Sequence, residues 1–457
     1  MTMTETAAET PVARPAVMPG LPYFGGIARM KSDPLGYLRE ASGRGPVVLL
    51  GRLDRRSFYQ VNDANLIRQV MTAPSTDLGM TRTTDVLKAL FDKSVFTLQN
   101  DAWRRRRAEL QPAFRTSTMP ELFDVAAGEL TGALDRFEAA AGAGEPVDFT
   151  AEMLELVQRV IVRMMFGVAV PGTGERLARA FDYGLSYRQR RRWALVKPPL
   201  WVPTPANNRF TCELGQLNRH ITSIIGAHRA ERSERASLLS MLMSCRDTET
   251  GESWTDDQLL AELKTIFNTG WLTTTNSLVW LFDLLGRHPG AEARVAAEVA
   301  ELAPDRPLEF ADLKALPFTE AAIMETMRLY PPGWLTSRRV LRPLTLGGVP
   351  LRRNTVIIVA QFSLHRDPQY WERPDEFVPD RFEAGSHGGA HKFAFLPFGA
   401  GPRVCIGRGV AMMELLMIVA MLLRRFRFSP VDDAPAVLEP LSVLRRKDPL
   451  NLHVERR

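Results

Sequence analysis

Several stretches of the chain repeat apolar positions with the period of an α-helix. The segment from Val410 to Leu423 is apolar except for Glu414, which predicts a buried helix. A longer segment, from Asp256 to Leu285, predicts a single helix that crosses the whole molecule. Helical periodicity also covers residues 120–170 and 210–245, so most of the chain is predicted to be helical.

Strand patterns are short by comparison. The runs from Val47 to Leu50 and from Ser57 to Val61 are rich in β-branched and aromatic residues, which predicts two strands. The segment from Leu344 to Val359 predicts further short strands. The fold class is therefore mainly α with a small β-region.

The composition is that of an ordinary soluble globular protein. Of 457 residues, 45% are hydrophobic and 24% are charged. Residues 1–19 are predicted to be disordered, and their first part lacks the basic and apolar regions of a signal peptide. The chain has no uncharged apolar run of roughly eighteen residues, so no membrane span is predicted. Three cysteines lying far apart favour free thiols and a reducing cytoplasm.

The net charge is +6 at pH 7. Proteins that bind nucleic acids interleave basic residues with exposed aromatic residues along a groove. The basic runs Arg104–Arg107 and Arg190–Arg192 are too short for that pattern. An acidic protein partner explains them better, so no nucleic-acid partner is predicted.

The segment from Phe398 to Gly407 carries the clearest chemical signature and reads F-x-x-G-x-R-x-C-x-G. Its cysteine, Cys405, lies in a glycine-rich loop that leads into the predicted helix after Val410. Backbone N–H groups and the positive end of the helix dipole would lower the pKa of a thiol there. A lowered pKa suits a cysteine that binds iron as a thiolate. The alternative is a buried, inert cysteine, the more common fate of a lone cysteine.

The other fixed residues of this segment suit a flat, anionic ligand. Gly401 permits a tight turn, and Gly407 lets the backbone approach the ligand closely. Arg403 can pair with a carboxylate of that ligand. Phe398 can cover the cysteine sulphur and limit its access to water.

The middle of the long predicted helix has the residues for a small-molecule slot. Thr269 and Thr273 are four residues apart and share one face, and Gly270 is expected to leave room beside them. Each threonine hydroxyl can donate to the carbonyl oxygen four residues earlier and bend the helix. Such a slot suits dioxygen and a water molecule.

At these residues the chain resembles the cytochrome P450 superfamily, and the resemblance extends through most of the chain. It implies the cytochrome P450 fold in a single haem-binding domain over residues 20–457. It also implies haem b as the cofactor, with iron bound by Cys405. In the family, a W-x-x-x-R helix and a later arginine hold the haem propionates. The cofactor-binding residues that the resemblance implies are Trp103, Arg107, Arg338, Phe398, Arg403 and Gly407.

The resemblance assigns catalysis to Thr273 and Thr274. Family members place an acidic residue immediately before the first of these threonines, whereas this chain has Leu272. A leucine can neither donate nor accept a proton, so proton delivery is expected to follow another route. The oxygen and substrate slot that the resemblance implies contains Thr269, Gly270, Leu272, Leu335 and Thr336.

The resemblance also implies structural parts of the fold. Glu325, Arg328 and Arg381 correspond to a buried ionic network of the family. His365 is expected to be a structural or surface group and not an iron ligand, because the haem already has its axial sulphur. The proline-rich segment 197–205 is either the family's mobile lid over the substrate entrance or a linker. Part of a partner-docking surface is expected from Arg104, Arg105 and Arg106.

The predicted function is that of a soluble bacterial haem-thiolate monooxygenase. It would use dioxygen to oxidise a lipophilic secondary metabolite with a terpenoid or polyketide scaffold. Electrons would come from NAD(P)H through a separate ferredoxin and ferredoxin reductase, and the protein would be a cytoplasmic monomer. Without an acid at position 272, desaturation, ring coupling or rearrangement is an alternative. A non-catalytic haem sensor is a third hypothesis, which the complete set of family motifs disfavours.

Overall fold

The structure is a computed structural model of the chain. It describes residues 14–20, 26, 29–53, 55–81, 85–194, 196–231, 237–247, 251–302, 306–385 and 391–457. Within these ranges, no helix is both long enough and apolar enough to cross a membrane.

Helices and strands are numbered in chain order, and helical residues far outnumber strand residues, which confirms the mainly α class. The helices are α1 (Arg29–Ser32), α2 (Pro34–Ser42), α3 (Ala64–Thr72), α4 (Asp85–Phe91), α5 (Asn100–Leu110), α6 (Met119–Ala127), α7 (Leu130–Ala143), α8 (Phe149–Phe166), α9 (Thr173–Trp193), α10 (Pro205–Ala230), α11 (Leu238–Ser244), α12 (Asp256–Arg287), α13 (Pro289–Ala300), α14 (Pro317–Leu329), α15 (Gln361–Leu364) and α16 (Arg408–Leu423). The strands are β1 (Ala16–Val17), β2 (Val47–Leu53), β3 (Arg56–Val61), β4 (Leu78–Met80), β5 (Val147–Asp148), β6 (Thr336–Val340), β7 (Leu344–Leu346), β8 (Val349–Leu351), β9 (Val356–Val359), β10 (Phe426–Pro430), β11 (Leu438–Pro440), β12 (Leu444–Arg446) and β13 (Asn451–Arg456).

The chain divides into two compact units, the first of which contains the largest sheet. Its six strands are ordered β1-β2-β3-β9-β6-β4. Strands β2 and β3 form an antiparallel hairpin in which Val48 pairs with Gln60, so the two strands predicted near the N-terminus are confirmed. Apolar side chains of this sheet and of α3 form one buried core that includes Ile67, Val340 and Ile357. The unit comprises residues up to 82, 334–375 and 390–404.

The N-terminal segment differs from the predicted disorder where the structure describes it. Residues 1–13 lie outside the described ranges. Ala16 and Val17 pair in parallel with Val48 and Leu49 of β2. The side chain of Met18 is 1% exposed, and its N–H donates to the carbonyl oxygen of Leu49 at 2.9 Å. These backbone bonds and the buried methionine hold residues 16–18 in place.

Helix α12 is the longest element of the second unit, at 32 residues. The hydroxyl of Thr255 accepts a hydrogen bond from the N–H of Gln258, whose side chain accepts one from the N–H of Thr255. This capping box fixes the start of the helix. Helices α8, α14 and α16 pack against α12, which buries most of its side chains after the first turn. The single long helix predicted over Asp256 to Leu285 is confirmed.

The other predicted helical regions are divided by local breaks. Region 120–170 holds α6, α7 and α8, and region 210–245 holds α10 and α11. Gly144 ends α7 with a φ of 70°, a left-handed conformation that favours glycine. Helix α10 begins earlier than predicted, because the hydroxyl of Thr204 accepts a hydrogen bond from the N–H of Asn207.

A buried ionic network joins residues 376–381 to α14. The Nε and Nη2 atoms of Arg328 donate to the two carboxylate oxygens of Glu325 at 2.7 and 2.8 Å. The same carboxylate accepts from Nε of Arg381 at 3.3 Å and from the N–H of Val378 at 2.9 Å. Arg328 also donates to the carbonyl oxygen of Glu376 at 2.9 Å. These donors compensate the carboxylate for its loss of water.

Replacing Glu325 with Gln should test this network, because the change leaves Arg328 and Arg381 buried without their counter-ion. We expect E325Q to lower the free energy of unfolding by about 3–5 kcal/mol, measured by urea denaturation of the haem-loaded protein. The matched control, D380N, breaks the exposed pair between Arg294 and Asp380 and should cost less than about 1 kcal/mol. Equal losses for the two variants would contradict a special role of the buried network.

Candidate active site

Cys405 stands immediately before α16, in the second unit, and Gly407 is the N-cap residue of that helix. The cysteine side chain is accessible to solvent, although neighbouring protein atoms still desolvate its sulphur. From Met413 to Leu423 the helix is almost entirely buried. The loop that carries the sulphur is therefore continuous with a rigid, apolar helix.

The pKa of the Cys405 thiol is raised above its ordinary value. Burial is the largest cause, whereas the N–H of Gly407 and the guanidinium groups of Arg107 and Arg408 act in the opposite direction. The prediction that the pKa of this thiol is lowered is therefore wrong, because desolvation outweighs the helix dipole and the cations. Binding of a metal ion removes the proton from a thiol, so the raised pKa does not prevent a ligand role.

Glycines shape the segment around the cysteine. Gly399 and Gly401 have φ values of 72° and 71°. A Cβ atom on Gly401 would also clash with the carbonyl oxygen of Met71, so the tight turn predicted there is present and requires glycine. A Cβ atom on Gly407 would meet no described atom within 4 Å. Protein packing thus leaves room for a ligand to approach the backbone at Gly407.

Two arginines are desolvated without a carboxylate beside them. The pKa of Arg107 on α5 and that of Arg338 on β6 are both lowered, chiefly by burial. Among the described residues, neither guanidinium forms an ion pair. Nη1 of Arg338 instead donates to the carbonyl oxygen of Ser337 at 3.1 Å and contacts the sulphur of Met80 at 3.7 Å. A desolvated cation without a counter-ion is costly, so each position suits a carboxylate of a ligand.

Cys405 and Arg107, which both belong to the second unit, fit haem by their chemistry. In the described part of the chain, no group of three or more histidine, cysteine or acidic residues could hold a metal ion. Haem iron takes most of its ligands from the haem ring itself, so a single protein side chain is enough to bind it. Cys405 offers one soft, anionic ligand, and Arg107 of the same unit offers a positive charge that suits a carboxylate of the bound group. The remaining predicted cofactor residues lie on both units: Trp103 is buried on α5 of the second, while Phe398 and Arg403 are half-buried in the first.

Hydroxyl side chains donate to the backbone along one face of α12. Oγ1 of Thr269 lies 2.7 Å from the carbonyl oxygen of Thr265, and Oγ1 of Thr273 lies 2.6 Å from that of Thr269. Ser277 continues the series with a bond of 2.9 Å to the carbonyl oxygen of Thr273. The back-bonding predicted for these threonines is present. Thr269 is exposed and Thr273 half-buried, so both hydroxyls lie on an accessible face.

Gly270 does not leave the room that was predicted beside these threonines. A Cβ atom on Gly270 would lie 3.1 Å from Cδ1 of Ile161 on α8. The indole N–H of Trp271 donates to the carbonyl oxygen of Leu154 on the same helix at 3.1 Å. Gly270 therefore allows α12 and α8 to approach closely, and the prediction that it opens a slot is wrong.

Thr274 makes a contact that the sequence did not predict. Its hydroxyl donates to Oε2 of Glu414 on α16 at 3.0 Å, and both residues are buried. Thr274 therefore does not share the accessible face of Thr273. Burial raises the pKa of Glu414 to about 8. A single acid within an otherwise apolar helix was the only sequence signal for this neutral, buried carboxyl group.

The remaining predicted residues are distributed over both units. Leu272 is half-buried on α12, and the side-chain oxygen of Asn268, one turn earlier, is buried with no hydrogen-bond partner among the described residues. Leu335 and Thr336 belong to the first unit, where the hydroxyl of Thr336 accepts from Nε2 of Gln361 at 2.7 Å. Neither Leu272 nor Asn268 can take the place of a titrating acid.

Two further expectations concern polar side chains. His365 is buried, and its Nε2 accepts a hydrogen bond from the N–H of Leu396 at 2.9 Å, which is a structural contact, as predicted. Arg106 is also buried, with its Nη1 2.8 Å from Oε1 of Glu262 on α12. The prediction that Arg106 belongs to a docking surface is therefore wrong.

Comparison with known proteins decides the family. The family model described as "Cytochrome P450" matches residues 15–454. The chain belongs to the cytochrome P450 family. It is therefore a haem-dependent monooxygenase that receives electrons from redox partners, as the resemblance of its motifs predicted.

Curated relatives cover nearly the whole chain. Cyclooctatin synthase of Streptomyces melanosporofaciens is 32% identical over 415 residues, which are 90% of this chain and 89% of that protein. Cyclooctat-9-en-7-ol 5-monooxygenase of the same organism is 29% identical, with 94% and 93% covered. Pentalenene oxygenase of Streptomyces avermitilis is 28% identical, with 91% of each chain covered.

A solved structure confirms the fold. The crystal structure of the cytochrome P450DA heme domain aligns with a TM-score of 0.86 and covers 98% of this chain and 99% of that one. The two sequences are 22% identical, so this likeness concerns the fold alone.

The buried carboxyl group of Glu414 should make stability depend on pH. Its pKa is about 8 in the folded protein and about 4.5 when unfolded, so between these values only the folded state holds the proton. The free energy of unfolding should therefore fall by about 1.4 kcal/mol per pH unit as pH rises through this window. The isosteric variant E414Q lacks this slope.

The measurement is urea denaturation of haem-loaded wild type and E414Q at about pH 5.5 and about pH 7.5. Wild type should lose about 3 kcal/mol more than E414Q over that interval. Parallel losses in the two proteins would show that Glu414 is ionised when folded.

Proposed function

We propose that this monooxygenase oxidises a terpenoid scaffold, with Cys405 as the iron ligand of its haem. The observation that carries the proposal is the accessible thiol at the start of the buried helix α16 in a cytochrome P450 chain. The names of two relatives specify an unsaturated cyclic alcohol, cyclooctat-9-en-7-ol, and pentalenene. They favour a terpenoid substrate over a polyketide.

The chain's own residues would hold the haem through charge and shape. Cys405 would supply the thiolate, and the half-buried guanidinium group of Arg107 and the buried one of Arg338 would donate to the propionates. When bound, haem with a thiolate ligand activates dioxygen and favours cleavage of its O–O bond. Trp103, Phe398, Arg403 and Gly407 complete the proposed contact set.

Proton supply is where this chain departs from its family. The hydroxyl of Thr273 donates to the carbonyl oxygen of Thr269 at 2.6 Å, so it has to rotate before it can donate elsewhere. Leu272 cannot return a proton to the hydroxyl of Thr273, and Asn268 can form hydrogen bonds but cannot titrate. We infer that protons reach Thr273 from ordered water or from a polar group of the substrate. The hydroxyl group in the name cyclooctat-9-en-7-ol is a group of this kind.

The same departure favours a second candidate reaction. Without a titrating acid beside Thr273, the enzyme could desaturate its substrate, couple two of its rings or rearrange it instead of adding oxygen. Where hydrogen atoms are removed, dioxygen would be the oxidant and would be reduced to water. This alternative keeps the haem, the cysteine ligand and the substrate class. It differs in the product, which would contain no oxygen atom from dioxygen.

For electron supply we propose a separate ferredoxin with its NAD(P)H-dependent reductase. Arg104 and Arg408 are exposed, and Arg408 is close enough to Cys405 to oppose the rise in its pKa. A positive surface beside the cysteine favours an acidic ferredoxin through electrostatic steering. Three cysteines without disulphide partners support a reducing cytoplasm as the location of the enzyme. We keep a monomer with one haem domain over residues 20–457 as the proposed organisation.

The reaction can be tested with the haem-loaded protein, a ferredoxin, its reductase, NADPH and a panel of cyclic terpenoid hydrocarbons and alcohols under ¹⁸O₂. We expect a product that carries one ¹⁸O atom, detected by mass spectrometry, and no product when the reductase is omitted. A product with two hydrogen atoms fewer than the substrate and no ¹⁸O would support the second candidate. Turnover of polyketides and of no terpenoid would overturn the substrate class.

Leu272→Asp tests the proton route, with Leu272→Asn as the uncharged control of similar size. We expect neither variant to raise the yield of product per NADPH consumed, because the site uses water or a substrate group as its proton source. Masking that polar group on the substrate, as a methyl ether, should lower the yield by roughly tenfold or more in wild type. A large gain with L272D, together with no effect of masking, would show that the acid is simply missing.

A further inference from the structure

Six arginines lie at one end of the large sheet in the first unit. At this end β2 and β6 finish, and β3 and β9 begin. These four strands are neighbours in the sheet. Because adjacent strands are about 4.8 Å apart, the four strand ends lie within about 15 Å of one another. We call the six residues the arginine surface: Arg52, Arg55, Arg56, Arg342, Arg352 and Arg353.

The strand register brings these arginines together from two distant parts of the chain. Phe58 of β3 pairs in parallel with Val356 of β9, so residues 55–56 and 352–353 both come just before the paired positions. Strand β6 runs antiparallel to β9 and ends at residue 340, so Arg342 follows it at the same end. The short hairpin of β7 and β8 then returns the chain to this end before β9.

Very little negative charge accompanies these arginines. Residues 326–366 contain no aspartate or glutamate, and residues 41–62 contain only Asp54, which lies outside the described residues. Asp77 stands at the same end of the sheet, just before β4. Among the described residues, none of the six arginines forms an ion pair, with Asp77 or with any other carboxylate.

Other exposed arginines of this protein do have counter-ions. Nη1 of Arg29 lies 2.6 Å from Oε2 of Glu40. Nη1 of Arg294 lies 2.7 Å from Oδ1 of Asp380. Like charges held close together destabilise a fold, so a solvated surface by itself gives no reason to gather six unpaired arginines. The clustering therefore favours a role in binding an anionic partner.

The backbone at Arg55 supports the same conclusion. Arg55 lies in the turn of the β2–β3 hairpin, where Leu53 pairs with Arg56, and its φ is 60°. Tight hairpin turns usually have glycine or asparagine in this left-handed conformation, because a larger side chain is unfavourable there. An arginine at this position lowers stability and adds a charge at the tip of the hairpin. Unfavourable backbone conformations of this kind are concentrated at functional sites.

We propose that the arginine surface binds a cluster of carboxylates on another protein. Guanidinium groups form paired hydrogen bonds with carboxylates, and arginine is enriched in protein interfaces. Leu53 is 38% exposed in the same hairpin and offers an apolar contact among these charges. This partner is additional to the ferredoxin, because the arginines proposed to dock ferredoxin, Arg104 and Arg408, belong to the second unit.

A nucleic acid is also anionic, but it fits this surface less well. Proteins that bind single strands stack the bases on exposed aromatic rings. Residues 341–354 contain no aromatic residue, and Phe58 and Tyr59 of β3 are half-buried. Carboxylates of a protein accept the same paired hydrogen bonds and require no stacking surface.

The test measures binding of a fluorescein-labelled oligo-glutamate peptide to the full-length, haem-loaded protein by fluorescence anisotropy. We expect binding that weakens as salt is added. The variant R52E/R353E should bind the peptide about tenfold more weakly or less. The matched control, R179E/R219E, makes the same change in net charge at exposed arginines of α9 and α10 that form no ion pair with described residues. It should bind within about twofold of wild type.

The variant Arg55→Gly separates binding from stability. Glycine tolerates the left-handed conformation, so R55G should unfold at a higher urea concentration than wild type. Because the variant loses one charge of the surface, it should bind the peptide about threefold more weakly. Wild-type affinity in R55G would exclude Arg55 from the surface, and a lower urea midpoint would show that Arg55 is required by the fold.

Four outcomes would overturn the proposal. The first is absence of peptide binding at low salt. The second is an equal loss in R52E/R353E and R179E/R219E, which would show that the peptide responds only to net charge. The third is tighter binding of a DNA duplex of equal charge that R52E/R353E abolishes, which would make this a nucleic-acid surface. The fourth is slower reduction by ferredoxin in R52E/R353E but not in the control, which would make this the ferredoxin surface.

Discussion

A single sulphur atom has to be presented at a fixed place, and the second unit is built to meet this constraint. Cys405 lies at the start of α16, a helix that is almost entirely apolar and buried. The one acidic residue of that helix, Glu414, accepts a hydrogen bond from Thr274 of α12. Helix α16, which follows the cysteine, is thereby joined to helix α12, which carries Thr269 and Thr273. Because protein cores are closely packed, each of these helices restrains movement of the other.

Buried charges divide into two kinds in this protein. Glu325, Arg328 and Arg381 satisfy one another within hydrogen-bond distance, so they stabilise the fold without needing a ligand. Arg107 and Arg338 are desolvated and have no carboxylate beside them in the described part of the chain. An anionic ligand beside them would offset the cost of their desolvation. This contrast separates structural arginines from those proposed to bind the cofactor.

Features that depend on local pattern were predictable from the sequence. The long helix α12, the buried helix α16 and the turn at Gly401 follow from periodicity and from the conformational freedom of glycine. The family was predictable too, because the motif around Cys405 combines several residue types at fixed spacing. The direction of the net pKa shift of the Cys405 thiol was not predictable, because the balance between the helix dipole and burial depends on how the chain packs.

Features that depend on the direction of a side chain were the ones missed. Arg106 was placed on the surface with its neighbours, but its ion pair with Glu262 comes from a helix far away in sequence. Gly270 was predicted to leave space for a ligand, but the side of the helix where its Cβ would lie is occupied by the side chain of Ile161. In both cases the spacing along the helix was right, and the neighbour that occupies the face could not be deduced from one sequence.

The ferrous carbonyl spectrum of the haem-loaded protein is the most direct measurement of the role of Cys405. Wild type should show the red-shifted Soret band of a thiolate-ligated haem, and Cys405→Ser should lose that band while it still binds haem. Cys245→Ser, which changes a cysteine whose thiol donates to the carbonyl oxygen of Glu109, serves as the control and should keep it. A red-shifted band that persists in Cys405→Ser would show that another residue ligates the iron.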